Sequence, residues 1–258
     1  MPRFAASLSM MFGEVPLPRR FAAAAAAGFR GVEIQAPYEH DAAELRSLAE
    51  AAGLEVVLIN LPAGDAAAGE RGLAGLPGRQ GDFERAVEQG LSCARSLGCN
   101  RVHAMAGVRP ESATVNDCEL VMIDNLRRAC AAAPDVTFLV EPINQRDMPG
   151  YLVSRQHQAR RIVEAVGAPN CRIQFDFYHC QNMEGDLARH FQAQFPLIGH
   201  IQIADNPGRH EPGSGEIGWP FLFDLIDAAG WQGWVGCEYK PAGDTVEGLA
   251  WARGHGIG

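Results

Sequence analysis

The sequence predicts a single-domain (β/α)8 barrel, and three observations carry that prediction. Eight short runs rich in apolar and β-branched residues recur along the 258-residue chain, as buried parallel strands do. Most are followed by a stretch with helical periodicity, and several of these stretches stop at a glycine, which accepts the left-handed conformation that ends a helix. The length is that of one such barrel, about 250 residues, rather than of two smaller domains.

The strand candidates are 4–8, 31–35, 55–61, 101–106, 136–143, 171–177, 199–204 and 234–239. Apolar stripes at helical spacing are clearest over 18–27, 41–52, 82–97, 115–133, 154–166 and 220–229, with Gly28, Gly53, Gly98, Gly167 and Gly230 placed where helices should stop. Eight βα units with right-handed crossovers close into a barrel more naturally than they extend an open sheet. No G-x-G-x-x-G follows an early strand, which disfavours a dinucleotide-binding fold. The connection 62–80, rich in Gly, Ala and Pro, is longer than an ordinary βα loop. It would emerge on the carboxyl-terminal face of the barrel, and we read it as a lid over an active site there.

Composition narrows the function. The chain is 47% hydrophobic and 21% charged, with 31 acidic against 22 basic residues and a net charge of −9. That field disfavours nucleic acid as a partner but leaves room for a small anionic substrate held by a few placed cations. No run approaches the roughly 20 apolar residues of a membrane span. Seven cysteines, odd in number and without C-x-x-C spacing, read as reduced thiols. The chain also starts without a charged segment followed by an apolar one, and together these features lead to the expectation of a cytoplasmic protein.

Four polar residues stand near the carboxyl ends of four successive apolar strands: Glu141 in FLVEPIN, Asp176 in IQFDFYH, Gln202 in GHIQIADN and Glu238 in VGCEYK. They are roughly 25 to 36 positions apart, near one βα repeat, so consecutive barrel strands would converge them on one point. Buried carboxylates are costly unless paired or bound to metal. Three carboxylates and an amide carbonyl form the all-oxygen donor set that Mg²⁺ or Mn²⁺ prefers, whereas zinc favours His or Cys. One divalent ion of the Mg²⁺ or Mn²⁺ type is therefore the expected cofactor.

The segments LPAGDAAAGERG, EPIN, DFYH, IADNPGRHEPGSGEI and GWVGCEYKP, with FAASLSMMFGEVPLPRRFAAAAAAGFRGVE at the start, resemble the hydroxypyruvate isomerase family of the xylose-isomerase-like TIM barrel superfamily. The likeness runs nearly end to end. It implies that Glu141, Asp176, Gln202 and Glu238 bind the metal and that Glu141 and Glu238 are also the acid/base pair. It implies as well that His179, in D-x-x-H spacing from Asp176, contacts substrate. Related sugar epimerases usually carry His at the position of Gln202, so the glutamine points to the hydroxypyruvate isomerase branch, with 2-oxo-tetronate isomerases close beside it. The implied reaction moves a carbonyl between C2 and C3 of a small hydroxy-oxo acid through an enediol, which two flanking carboxylates can perform. A metal-assisted hydride shift fits the sequence equally well.

Further substrate-binding candidates are Arg209, a bidentate carboxylate fork, Lys240 just beyond Glu238, Arg71 in the long loop, and Glu33 at the end of the second strand. Asp205 and Asn206 read first as turn residues, and His103 and His200 as packed, hydrogen-bonded residues inside strands. Trp219 and Phe221 read as exposed, serving either a homo-oligomer contact or the packing of the eighth helix. A ketose 3-epimerase on the same barrel is the nearest alternative function. A zinc-cluster DNA-repair phosphodiesterase expects several His ligands and a basic groove that the sequence does not offer. A noncatalytic binding barrel would not need the Glu141 and Glu238 pair.

Overall fold

A computed structural model describes all residues, 1–258. Eight strands pair in parallel in chain order and close on themselves, β8 returning to β1. They are β1 (Arg3–Ser7), β2 (Gly31–Ile34), β3 (Glu55–Asn60), β4 (Arg101–His103), β5 (Thr137–Val140), β6 (Cys171–Asp176), β7 (Ile198–Ile203) and β8 (Trp234–Cys237). The helices are α1 (Leu17–Ala26), α2 (Ala42–Ala51), α3 (Gln80–Leu97), α4 (Val115–Ala132), α5 (Gln156–Val166), α6 (Phe177–Met183), α7 (Leu187–Gln194) and α8 (Trp219–Ala228). No helix is long and apolar enough to cross a membrane.

Alternation along the strands divides the barrel into two environments. Phe4 and Ala6, Val32 and Ile34, Phe138 and Val140, Ile173 and Phe175, Ile201 and Ile203, Val235 and Cys237 all belong to one contiguous apolar core shared with the helices. The intervening residues face the barrel axis. At its lower end Ala5, Val57, Leu58, Leu139 and Trp234 form a separate small plug. A Cβ on Gly31 would lie 2.9 Å from the Trp234 ring, so glycine there makes room for the indole. Above the plug the axial residues are polar: Ser7, Glu33, His103, Gln174, His200 and Gln202 are all buried. The barrel is thus a dry ring around a polar axis that opens at the carboxyl ends of the strands.

Six helices fall where periodicity places them, and α3 and α5 close on Gly98 and Gly167 in the left-handed conformation at φ 70. The expected fourth and fifth strands are longer than β4 and β5 because residues 104–106 and 141–143 leave the ladder to build the mouth. There Gly72 bridges Ala106, and the Ile143 N–H donates to the Val153 carbonyl at 2.9 Å. Helix α6 was not expected: it starts directly at the end of β6, so its apolar residues read as more strand. Phe175, Phe177 and Phe191 then pack edge to face and tilted, tying α6 and α7 to the barrel wall.

Two expectations are corrected. The second half of the long loop is no free lid, since Leu73, Ala74 and Leu76 are buried and the Ala74 and Gly75 N–H groups donate to Met105 and Ala106 carbonyls at 3.1 and 2.9 Å. Only its tip, 64–71, projects, pinned by a Glu70–Arg79 ion pair. Trp219 is not exposed: it is 2% accessible and packs on Phe177 and Phe223, because α8 turns that face inward, while Phe221 stays 62% exposed. Trp219→Ala should therefore cost about 3–5 kcal/mol of stability as a core cavity, and Phe221→Ala should stay within about 0.5 kcal/mol of the parent. Urea denaturation midpoints of the two variants test this, and similar losses in both would contradict the assigned burial.

Candidate active site

The site is assembled from strand ends, and each side chain arrives there by period-2 alternation or by one helical turn. Leu139 faces the axis, so Glu141, two residues on, does too; Trp234 and Gly236 bring Glu238 to the same mouth in the same way. Asp176 ends β6 and caps α6. Its Oδ1 accepts the Tyr178 and His179 N–H groups at 2.7 and 3.3 Å, leaving Oδ2 free. His179 lies one turn further and returns beside Asp176, with Nε2 3.7 Å from Oδ2. Ligand atoms of Glu141, Asp176, His179 and Glu238 lie within 4.8 Å of one another.

Burial sets the electrostatics. The Glu141 carboxyl is pushed well above its usual range by burial and by the Glu238 and Asp176 charges, against the pull of Arg209. Burial raises Glu238 to about 8 and Asp176 to about 6, again opposed by Arg209. Burial lowers Arg209, but Glu238, Asp176 and Glu141 more than offset this and hold it charged. His179 is held neutral by burial first and by the Arg209 charge, and burial likewise takes His103 down to about 3.

Arg209 is the cation of this cluster. One guanidinium nitrogen is 2.8 Å from Glu238 Oε2 and 4.0 Å from Asp176 Oδ2, the other is 3.9 Å from Asp147 Oδ2, and the group lies 5.1 Å from the Tyr178 ring. Its backbone sits at φ 54, a left-handed conformation that costs a non-glycine residue about 1–2 kcal/mol. Hydrogen bonds on either side hold it there, from Lys240 N to the Arg209 carbonyl and from Asp205 N to the His210 carbonyl. Asp205 serves the loop as expected of a turn residue: its carboxylate accepts the Asn206, Gly213 and Ile217 N–H groups.

Below the cluster a polar chain crosses the barrel. Glu33 pairs with His200, the Gln202 amide donates to Glu33 Oε2 at 2.8 Å, and Gln174 Nε2 donates to Gln202 Oε1 at 2.6 Å. Gln202 stands beside Asp176 in the strand register. A Cβ on Gly236 would fall 1.9 Å from Glu33 Oε1, so glycine there leaves space for the carboxylate.

Among the residues expected from the sequence, Glu141, Asp176, His179, Arg209 and Glu238 come together, and Glu33 and Gln202 lie in the layer beneath. Lys240 and Arg71 are exposed and make no ion pair; the Arg71 guanidinium donates to carbonyls of its own loop. Sequence reasoning missed Gln35, which donates to Glu238 Oε1, and Gln174, Asn144 and Asp147. The signal for the two glutamines was present, since Gln174 stands two residues before Asp176 on β6 and Gln35 two residues after Glu33, just past the end of β2.

Residues in the cluster fit a hard divalent cation. Glu141 Oε1 and Asp176 Oδ2 are buried without any hydrogen-bond partner, which for carboxylates is unfavourable unless a cation or substrate meets them.

A closed parallel barrel carrying such a cluster at the carboxyl ends of its strands is the architecture of a barrel enzyme. Residues 21–255 match the xylose isomerase-like TIM barrel, and the chain belongs to that family. A Cupriavidus necator protein named 2-oxo-tetronate isomerase is 51% identical over 255 residues, 98% of either chain. An Escherichia coli protein named hydroxypyruvate isomerase is 44% identical over 253 residues, 97% of this chain and 98% of its own. A crystal structure from Brucella melitensis, described as an AP endonuclease of family 2, superposes with a TM-score of 0.96 at 46% identity over 99% of both chains. The resemblance seen in the motifs extends over nearly the whole chain.

Carboxylates raised by burial are protonated in the folded state and ionised in the unfolded one between their ordinary and raised values, here from 3.8 to about 6 for Asp176 and from 4.5 to about 8 for Glu238. Stability of the metal-free protein should therefore be highest near the lower end of that window and decline as pH rises through it. A divalent cation opposes this decline by binding the ionised form. Thermal melts with chelator and with Mn²⁺ should diverge more at pH 8 than at pH 5.5. A Mn²⁺ shift that is equal at both, or larger at the lower pH, would count against the cluster as a cation site.

Proposed function

We propose that this protein is an isomerase that interconverts hydroxypyruvate and 2-hydroxy-3-oxopropanoate (tartronate semialdehyde). The observation that carries the reading is the buried convergence of Glu141 and Glu238, from the ends of β5 and β8, on one cluster, both with proton affinities raised by burial. Relatives named hydroxypyruvate isomerase support the substrate. In this reading one carboxylate removes a proton from C3 of hydroxypyruvate while O2 takes up a proton, giving the enediol. A proton is then returned to C2 as the C3 hydroxyl gives up its own, and the carbonyl is left on C3. His179 and Arg209 bind substrate oxygens, Arg209 through its bidentate fork.

We assign a divalent cation, Mg²⁺ or Mn²⁺, to Glu141, Asp176, Gln202 and Glu238. When bound it would polarise the substrate carbonyl and neighbouring hydroxyl as a Lewis acid. Glu33 orients the Gln202 amide, since a carboxylate accepts only from Nε2 and so turns the carbonyl oxygen away from itself. The exposed tip of the long loop, with Arg71, and Lys240 at the rim are assigned to closure over the substrate. Nucleic acid is disfavoured as a partner by the net charge of −9 and a cluster with a single histidine, and the unpaired thiols support a reducing, cytoplasmic setting.

A second reading, 2-oxo-tetronate isomerisation, is favoured by the 51% identical relative of that name. Both acids place a carbonyl between a carboxylate and a hydroxylated carbon, so the same carboxylate pair serves either. An NMR time course of metal-loaded enzyme in D₂O decides between them. Turnover of hydroxypyruvate with deuterium in the product supports the first reading and proton transfer; turnover of the four-carbon acid alone supports the second. Glu141→Gln and Glu238→Gln should each lower kcat by about 10²–10⁴ with an unchanged circular dichroism spectrum. Full activity in either would defeat the two-carboxylate scheme.

A further inference from the structure

His179 has two chemically distinct nitrogens, and its neighbours decide which one carries the proton. Nδ1 faces Asn144 twice: the side-chain Nδ2 stands 2.7 Å away and the backbone N–H donates to it at 3.4 Å. A backbone N–H can only donate. The side-chain amide is held in one orientation as well, because its Oδ1 accepts the Arg146 and Asp147 N–H groups at 3.0 and 2.9 Å. Its Nδ2 also reaches Asp147 Oδ2 at 3.0 Å, an oxygen that already accepts the Tyr178 hydroxyl at 2.9 Å. Turning the amide over would set an oxygen against a carboxylate and an NH₂ against two N–H donors. Every neighbour of Nδ1 is thus a donor.

We infer that Asn144 is a positioning residue that fixes His179 as the Nε2–H tautomer, making it a neutral hydrogen-bond donor to a substrate oxygen and removing it from the metal-ligand set. Nε2 stands 3.8 Å from Glu141 Oε1 and 3.7 Å from Asp176 Oδ2, the two carboxylate oxygens without a partner. A donor aimed into that space meets an oxygen that gains charge as the enediol forms. For Nε2 to ligate a cation, Nδ1 would have to carry the proton and donate it, as metal-bound histidines do to a carboxylate or carbonyl; here it would meet only donors. The single contact that favours an Nε2 lone pair, Arg209 at 3.5 Å, is longer than the Asn144 side-chain contact and stands alone against two. This inference rests on the isomerase reading for the identity of the oxygen, but not for the tautomer.

The test is long-range ¹H–¹⁵N correlation NMR of Mg²⁺-loaded enzyme labelled with ¹⁵N-histidine, with His179 assigned by comparison with His179→Gln. Wild type should show a protonated Nε2 and an unprotonated Nδ1; the reverse pattern, or metal coordination at Nε2, would overturn the inference whatever the fate of the variants. Asn144→Asp keeps an oxygen for the two backbone donors and offers His179 Nδ1 an acceptor. It should move the proton to Nδ1 and lower kcat by about 10–100-fold, the usual effect of losing an outer partner, with a smaller change in KM. A moved proton with unchanged kcat, or lost kcat with an unmoved proton, refutes the positioning role. If wild type shows the expected tautomer but turns over neither acid, the isomerase reading fails and the tautomer assignment stands.

Discussion

Three carboxylates brought together out of water are the constraint around which this molecule is organised. Two like charges 4 Å apart repel by about 4 kcal/mol at the effective dielectric of a protein surface, and by more inside. The barrel must therefore supply compensation or leave protons on the cluster, and it does both. Arg209 leans in from a strained backbone, α6 turns two N–H groups onto Asp176, and the remaining proton affinity rises toward neutrality. Such affinities suit groups that exchange protons near pH 7.

The rest of the architecture follows from the need to hold that cluster still. Outward-facing strand residues merge with the helices into one apolar core, which carries the stability of the fold. Inward-facing residues contribute little apolar burial above the Trp234 plug and instead form a relay of amides and carboxylates from His200 through Glu33, Gln202 and Gln174. Glycines at 31 and 236 belong to that plan, since a side chain at either would collide with Trp234 or Glu33. A partly satisfied buried network is expensive, and the buried carboxylate oxygens left open are Glu141 Oε1 and Asp176 Oδ2 of the cluster.

How much of this was legible in the sequence depended on whether a feature had a period. Strands, most helices and the four strand-end residues were legible because alternation, apolar stripes and βα spacing repeat. Helix α6 was hidden because β6 runs into it without a turn, and the inward burial of Trp219 because a short amphipathic helix does not declare which face turns in. Gln35 and Gln174 were readable by extending the alternation one step. Asn144 and Asp147 were not, since they sit on an irregular loop whose path is set by contacts with α6 rather than by local pattern. Arg209 was legible as a loop cation, but its place against Glu238 depends on Asp205 gathering three backbone N–H groups from across that loop.

The division of labour at the mouth also locates substrate choice. In the proposed reaction the carboxylates at the ends of β5, β6 and β8 would surround the reacting carbons, with His179 and Arg209 at their oxygens. All these groups address atoms that three- and four-carbon 2-oxo acids share. On that reading the cluster addresses the shared atoms, and discrimination of an additional hydroxylated carbon falls to residues outside it. There the chain offers what the cluster lacks: an exposed loop tip carrying Arg71 and an exposed Lys240 joined through its backbone to Arg209. Chemistry fixed on rigid strand ends and specificity carried by loops is the arrangement that lets one barrel serve closely related acids. It follows that exchanging the rim between relatives should move substrate preference without disturbing the proton transfers beneath it.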